Sequence, residues 1–162
     1  MIRELDALSG RYVKLARRDK RPMGASWQTR ATASVSEVES WIEDGHNVGL
    51  LLGPQSGVID VEFDTEDGRA EMESLGLLEV ETPTWRSARG EHRLFAYEPW
   101  MPEAAVIHRG GVEFRIGGRA AQSVLPPSTH PGGGVYEWIR RPSETPIAKL
   151  PRWILGDEEC GK

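Results

Sequence analysis

The chain has 162 residues, a formal net charge of −5 and 38% hydrophobic residues. This length suits one domain, or one domain with a short tail, and no apolar run is long enough to cross a membrane. The single Cys160 excludes an internal disulfide framework and a cysteine-based metal site, so we expect a cytoplasmic protein.

The basic residues are concentrated near the N-terminus, although the chain as a whole is acidic. Six of them fall within residues 11–21: Arg11, Lys14, Arg17, Arg18, Lys20 and Arg21. Because a basic footprint supplies most of the affinity for nucleic acid, the net charge disfavours tight binding. Weak and transient contact with DNA fits this balance better.

Alternating and helical patterns predict many short strands and few helices. In chain order we predict a strand over 12–15, a helix from Ser34 or Ser36 that ends before Gly45, strands over 47–52 and 58–64, a helix over 67–78, strands over 84–86, 93–97, 112–116, 121–125 and 135–139, and a helical turn over 150–155. The strands 47–52 and 58–64 are predicted to form a hairpin, and 112–116 and 121–125 a second strand pair. We therefore predict an α+β fold with a mainly antiparallel sheet.

Acidic residues occupy alternate positions of the strand predicted over 58–64. Because successive strand side chains point to opposite faces, Asp60, Glu62 and Asp64 share one face, about 6.6 Å apart. Acidic residues are poor strand formers and repel one another unless a cation lies among them. Oxygen-rich sites suit Mg²⁺ or Mn²⁺. A solvent-exposed strand face, whose polar residues also alternate, is the other interpretation.

Two further segments carry charged residues that are candidates for the same site as the acidic strand. Arg89 and His92 flank a glycine turn, where they are able to meet phosphate oxygens, or else form an ordinary basic surface turn. Glu113 lies between apolar neighbours on a predicted strand, with Arg115 on the same face. It is either a further carboxylate of the same site or an exposed strand residue.

A loop rich in proline and glycine follows the strand predicted over 121–125. Pro126 and Pro127 stiffen the exit from that strand and hold Ser128 and His130 in a defined loop. Such a loop is able to line a nucleotide pocket. The alternative is a rigid turn whose Ser and His satisfy local backbone groups.

Taken in order, these segments resemble the bifunctional DNA primase/polymerase family found in plasmids, phages and prophages, part of the archaeo-eukaryotic primase superfamily. The matching segments are Lys20-Arg21-Pro22, Trp27, Ala31-Thr32, Trp41, Asn47-Val48-Gly49, Gly53, Ser56-Gly57, Glu62-Phe63-Asp64, Gly90-Glu91-His92, Glu113, Pro126-Pro127-Ser128-Thr129-His130 and Gly134-Val135-Tyr136-Glu137-Trp138. The resemblance implies the Prim-Pol fold, an RRM-like, mainly antiparallel sheet joined to a small α/β unit. It places the catalytic domain over 1–155, followed by a polar tail over 156–162.

The resemblance also implies the chemistry, which is template-directed nucleotidyl transfer by a DNA primase/polymerase. The implied partners are a DNA template and primer, with dNTP or NTP as substrate. Mg²⁺ or Mn²⁺ would be held by Glu62, Asp64 and Glu113, with Asp60 bordering the site. In an alternative register, Asp60 and Glu62 form the metal pair. The residues implied to hold triphosphate and sugar are His92, Arg89, Lys20, Arg115, Ser128 and His130, and His92 is also implied in catalysis.

This chain departs from the family's usual motifs by having Glu62 and Glu113 where Asp is more common. Glu is one methylene longer, so metal positions would shift. The same fold without catalysis, a module that binds nucleotide or nucleic acid, is therefore one alternative. A metal-dependent phosphohydrolase or nuclease is another, with ligands drawn from the scattered His46, His92, His108 and His130. Since the chain lacks a Walker-A pattern, we expect helicase activity to come from a separate replicative helicase or from a further C-terminal region.

Overall fold

The computed structural model describes residues 2–117 and 121–155, in which strands predominate over helices. In chain order the elements are α1 Ile2–Leu8, β1 Tyr12–Leu15, a 3-10 helix Trp27–Arg30, α2 Val35–Glu43, β2 Asn47–Leu51, β3 Val58–Phe63, α3 Glu66–Ser74, β4 Thr84–Arg86, β5 Glu91–Ala96, β6 Val106–Arg109, β7 Val112–Arg115, β8 Gln122–Val124, β9 Glu137–Arg140 and a 3-10 helix Arg152–Ile154. None of these helices is long and apolar enough to cross a membrane.

Side-chain caps fix where the two longer helices begin. Ser34 accepts a hydrogen bond from the backbone N–H of Glu37, at 3.3 Å, and so starts α2. Thr65 accepts from the N–H of Gly68, at 3.0 Å, and starts α3 directly after β3. Each cap satisfies a backbone donor that the first helical turn leaves free. The cap at Thr65 lies two residues after the end of β3 at Phe63, so Asp64 lies between the strand and the helix.

The strands form two antiparallel sheets. A three-stranded sheet has the order β1-β2-β8, and a six-stranded sheet has the order β6-β7-β3-β5-β4-β9. In the six-stranded sheet, β3 lies between β5 and β7. This mixed α/β architecture with mostly antiparallel sheets agrees with the predicted fold class.

The six-stranded sheet has one apolar face and one face that is partly charged. On β3, Ile59, Val61 and Phe63 point into a core that packs against α3, where Met72 is fully buried. Asp60 and Glu62 point the opposite way, toward the three-stranded sheet. A second core, which includes β1, β2, α1 and α2, fills the space on that side. The two acidic residues therefore lie at the junction of the two sheets.

Both predictions that two strands adjacent in the sequence pair with each other are wrong. β2 and β3 lie in different sheets and share a single bridge, Gly53 with Val58. β7 pairs with β3 and with β6, a strand the sequence reading missed, while β8 pairs with β2. Each strand has two edges. Those of β2 are taken by β1 and β8, and those of β7 by β3 and β6, so neither strand has an edge left for its predicted partner. The predicted tail over 156–162 lies outside the described residues.

Candidate active site

The register of β3 with its two neighbours gathers charged residues on one face of the sheet. Glu62 lies opposite His92 on β5 and opposite Glu113 on β7, while Asp60 lies opposite Arg115. Directly paired residues share a face and have Cβ atoms about 5 Å apart. The structure therefore brings Glu62 and Glu113 together, as the resemblance of the motifs implies.

A tight group forms where His92 meets two carboxylates. His92 Nδ1 lies 2.8 Å from Asp60 Oδ2 and 2.9 Å from Glu62 Oε2. Ligand atoms of these three residues all lie within 4.8 Å of one another. Asp60 is fully buried, and its second oxygen, Oδ1, has no hydrogen-bond partner among the described residues.

Aromatic rings hold the imidazole of His92 in place. Trp85 on β4 lies opposite His92 and stacks on it with ring centroids 4.7 Å apart and planes 3° from parallel. Trp138 on β9 packs edge-on against Trp85 at 5.4 Å. Trp85 is completely buried, so the stack fixes the plane in which His92 presents Nδ1 to the carboxylates.

The two carboxylates also decide the charge of His92. Burial alone lowers the pKa of the imidazole, but the charges of Asp60 and Glu62 and the hydrogen bonds to them outweigh burial and raise the pKa to about 10. His92 is therefore an imidazolium at neutral pH and neutralises part of the acidic group. The sequence reading had placed His92 apart from the carboxylates. Its predicted contact with the triphosphate stays a prediction.

Glu113 adds a third carboxyl group beside Glu62. A hydrogen bond with Glu62, followed by partial burial and the charge of Glu62, raises the pKa of Glu113. On the other side, His108 Nδ1 lies 3.8 Å from Glu113. Two carboxyl groups this close resist ionising together unless a cation lies between them.

Asp64 lies past the end of β3 and does not join this group. Its side chain is 61% exposed and lies 3.9 Å from the guanidinium of Arg89. The turn that carries Arg89 comes close to the end of β3 because residue 90 is a glycine. A Cβ at Gly90 would lie 1.7 Å from the carbonyl oxygen of Phe63. Of the two registers predicted for the acidic pair, the geometry gathers Asp60 with Glu62.

The three-stranded sheet supplies the opposite wall through β8. Ser123 Oγ donates to Asp60 Oδ2 at 2.5 Å, and Ser123 is 4% exposed. Arg115 donates to the carbonyl of Gln122 at 3.2 Å, while the amide of Gln122 donates to the carbonyl of Lys20 at 3.0 Å. This short segment therefore joins both sheets at the site.

The loop after β8 contributes His130 but not Ser128. Ser128 is buried and accepts the N–H of Val48 at 2.9 Å, which ties the loop to β2. His130 faces Tyr136, with ring centroids 5.9 Å apart. Slight burial and the charges of Lys20 and Arg89 lower the pKa of His130. Burial and the charge of Glu62 raise the pKa of Tyr136 to about 12, so its phenol stays protonated.

These elements enclose a cavity of about 180 Å³, which we call the central cavity. It is lined by Lys20, Glu62, Phe63, Asp64, Ser87, Ala88, Arg89, His92, Arg115, Gln122, Ser123, Val124, His130 and Tyr136. One side is acidic and the other carries cationic groups.

The sequence reading found most of the charged lining but missed three contributors. Tyr136 is part of a matching segment but was given no role, and Trp85 and Ser123 were predicted only as parts of strands. Alternation within β8 and β4 would have placed Ser123 and Trp85 on inward faces, but their partners follow only from pairing between distant strands. Ser128, predicted to bind nucleotide, is buried and does not line the central cavity.

The donor set suits a divalent cation. Asp60 and Glu62 meet at His92 Nδ1, Glu113 is adjacent, and the buried Asp60 Oδ1 has no partner among the described residues. Because His92 is an imidazolium, it acts as a charge partner, and the carboxylate oxygens are the donors. An uncompensated buried carboxylate oxygen is costly, and a bound cation removes that cost. The residues present therefore fit a metal ion held mainly by oxygen.

Comparison with known proteins bears on the same residues. The sequence model of the family described as Bifunctional DNA primase/polymerase, N-terminal, matches residues 7–153. The matched range is most of the chain and includes every residue that lines the central cavity. No curated protein sequence gives a significant match.

Proposed function

Since this chain belongs to the bifunctional DNA primase/polymerase family, we propose that it catalyses template-directed nucleotidyl transfer in the central cavity. The proposed partners are a DNA template and primer, with dNTP or NTP as substrate. The observation that carries the proposal is the group formed by Asp60, Glu62 and His92, with Glu113 alongside, facing a cationic wall. We propose likewise that residues 1–155 act as the catalytic domain and that the six-stranded sheet is the RRM-like part of the family's fold.

Asp60, Glu62 and Glu113 would hold Mg²⁺ or Mn²⁺. When bound, such an ion offsets the charge that develops on transferring phosphoryl oxygens and helps to align the attack. Asp60 is fixed for this role by Ser123, which donates to Oδ2 and leaves Oδ1 free to bind. Asp64 remains a candidate that reaches the cavity from beyond the strand end.

The cationic wall is suited to the triphosphate. Lys20, Arg89 and Arg115 all line the cavity; Arg115 lies on β7 beside Asp60, while Lys20 and Arg89 come from turns. Arginine forms charge-assisted, paired hydrogen bonds to phosphate oxygens, while lysine acts as a point charge. Substrate that occupies this wall would have its reactive phosphate directed toward Glu62. Positioning of this kind is the main contribution a protein makes to phosphoryl transfer.

The remaining polar groups suit the sugar. The protonated phenol of Tyr136 is a donor, and His130 offers Nε2, because its Nδ1 already accepts the N–H of Gly132 at 3.0 Å. Both residues line the cavity beside the phosphate-facing cations. We propose that they contact the ribose or deoxyribose of the incoming nucleotide.

Primer extension tests the proposal. The wild-type chain, with a primed DNA template, labelled primer, Mn²⁺ or Mg²⁺ and dNTPs or NTPs, should extend the primer in the order that the template dictates. Glu62→Gln should abolish extension, because Glu62 belongs to both candidate metal pairs. Glu144→Gln, an exposed residue outside the cavity lining, is the matched control and should keep wild-type activity.

Three outcomes would contradict the proposal. Nucleotide binding without any extension would favour the binding-module alternative. Metal-dependent cleavage of the template would favour a nuclease. Full activity in Glu62→Gln would remove the carboxylates from the mechanism. The expected helicase partner has no support from the comparisons and stays a prediction.

A further inference from the structure

A second cavity, of about 400 Å³, lies beside β1 and α2, away from the carboxylate group. It is lined by Val13, Lys14, Met23, Gly24, Trp27, Arg30, Glu37 and Trp41. We name it the tryptophan pocket. Its volume falls within the range of about 300–1,000 Å³ that is usual for small-molecule sites.

The apolar side of the tryptophan pocket offers flat aromatic surface that the core does not fully cover. Trp27 and Trp41 pack against the first core from its edge and are each only partly buried, and Met23 is 42% exposed. A base stacked on an aromatic side chain contributes about 1–3 kcal/mol, whatever its identity. The pocket is therefore suited to an unpaired base.

The polar side of the pocket is cationic. Lys14 and Arg30 line it, and neither makes an ion pair within residues 2–117 and 121–155. The end of the Arg30 side chain lies beside Gly24, whose positive φ of 83° favours glycine. Glu37 is also present and is an acceptor for the exocyclic amino group of a base.

A short hairpin connects this pocket to the central cavity. The N–H of Met23 donates to Lys14 and the N–H of Ala16 to Arg21, which makes residues 14–23 a hairpin that we call the basic hairpin. Its foot, with Lys14 and Met23, lines the tryptophan pocket, whereas Lys20 near its tip lines the central cavity. Three residues of extended chain, about 10 Å, separate Met23 from Lys20.

The basic hairpin has the charge that a polyanion requires. It carries Lys14, Arg17, Arg18, Lys20 and Arg21 against a single acid, Asp19, in a chain whose net charge is −5. A strand of about 10 Å is a few nucleotides long, since adjacent nucleotides in a stacked strand are about 3.4 Å apart. The hairpin therefore has the length and charge to carry a phosphate backbone from one cavity to the other.

We propose that the tryptophan pocket and the basic hairpin form a binding site for single-stranded nucleic acid, in which an unpaired base stacks between Trp27 and Trp41. This proposal rests on the proposed function, because template-directed transfer requires a template strand next to the central cavity. A duplex does not fit, because its bases are stacked inside the helix and are not free to enter a pocket.

Fluorescence anisotropy of a labelled single-stranded oligothymidine about 12 nucleotides long, without metal or dNTP, tests the site. Trp27→Ala should weaken binding about tenfold, within the range for one stacked base. Trp153→Ala is the matched control, since Trp153 is 55% exposed and lines neither cavity, and it should bind as wild type. Arg30→Ala should weaken binding about threefold and reduce the dependence of affinity on salt, since each phosphate contact contributes a slope of about −0.7.

Trp27 also packs on the core, so Arg30→Ala, at an exposed position, keeps the test valid if Trp27→Ala fails to fold. Wild-type affinity in folded Arg30→Ala, or equal affinity for duplex and single strand, would overturn the proposal. Mn²⁺ and dNTP titrations should be unchanged in both variants. Single-strand binding that depends on Arg30 in a chain that extends no primer would preserve this site while removing the proposed activity. Primer extension by a chain whose single-strand binding does not depend on Arg30 would keep the proposed activity and remove this binding site.

Discussion

The two walls of the central cavity are built in different ways. The acidic wall comes from adjacent strands of one sheet. Glu62 and His92 line the cavity, and the backbone ladder sets their spacing from Asp60 and Glu113, which are not part of the lining. On the cationic wall, Arg115 belongs to β7 of the same ladder, but Lys20 lies near a hairpin tip and Arg89 on a glycine turn, where it is 80% exposed. The acidic wall is therefore positioned before any ligand arrives, whereas the cationic wall can adjust to what enters.

The position of Asp60 inside the ladder and of Asp64 outside it gives the largest expected contrast. Asp60→Asn should lower primer extension by about 10²–10³-fold, because losing a metal ligand removes several kcal/mol of transition-state stabilisation. Asp64→Asn should lower it by less than about threefold, since the carboxylate of Asp64 is exposed and paired with Arg89. Steady-state extension rates at saturating Mn²⁺ measure both. A larger loss of extension rate in Asp64→Asn than in Asp60→Asn would favour Glu62 and Asp64 as the metal-binding pair.

Ser123 joins the two walls, and its removal has an intermediate expected effect. Ser123→Ala deletes the 2.5 Å hydrogen bond to Asp60 Oδ2. Groups that orient a metal ligand usually contribute about 10–100-fold to metal affinity or activity, so we expect about a tenfold weaker apparent Mn²⁺ affinity. Ser123→Thr keeps the hydroxyl and should recover part of that affinity. Equal Mn²⁺ affinity in all three proteins would limit Ser123 to packing.

The smallest expected effect concerns stability within the acidic wall. Glu113→Gln removes one of two carboxyl groups that compete for a proton, while the amide is still able to donate to Glu62. Because Glu113 is 35% exposed, solvent screens the repulsion and the gain should be a few tenths of a kcal/mol. Thermal melts at pH 8 without metal should show the variant slightly more stable, and added Mn²⁺ should reverse the order. A less stable metal-free variant would contradict the crowding of Glu62 and Glu113.

The sequence predicted what depends on neighbouring residues. The strands at β1 and β4 and the Ser34 cap of α2 follow from short patterns and appear as predicted. Alternation along β3 placed Asp60 and Glu62 on one face, and the family motifs located Glu113. These features need no knowledge of which strand lies beside which.

What the sequence did not predict depends on contacts between distant segments. Neighbouring strands pair more often than not, so the hairpin of β2 and β3 was a reasonable expectation. The contacts of His92 with Asp60, and of Ser123 with the same carboxylate, require knowing that β5 and β8 approach β3 from different sides. The separation of Asp64 from the group of Asp60, Glu62 and His92 requires knowing that β3 ends at Phe63, where the Thr65 cap and the turn at Gly90 follow.

The hydrogen bond from Ser123 to Asp60 has a consequence for biosynthesis. The two residues are 63 positions apart, which at about 5–20 residues per second corresponds to roughly 3–13 s of translation. A nascent chain that has emerged as far as β7 already contains every carboxylate of the acidic wall, but none of β8. The buried Asp60 acquires its serine donor only when the ribosome has delivered β8, so this contact forms after the carboxylates of the acidic wall are already in place.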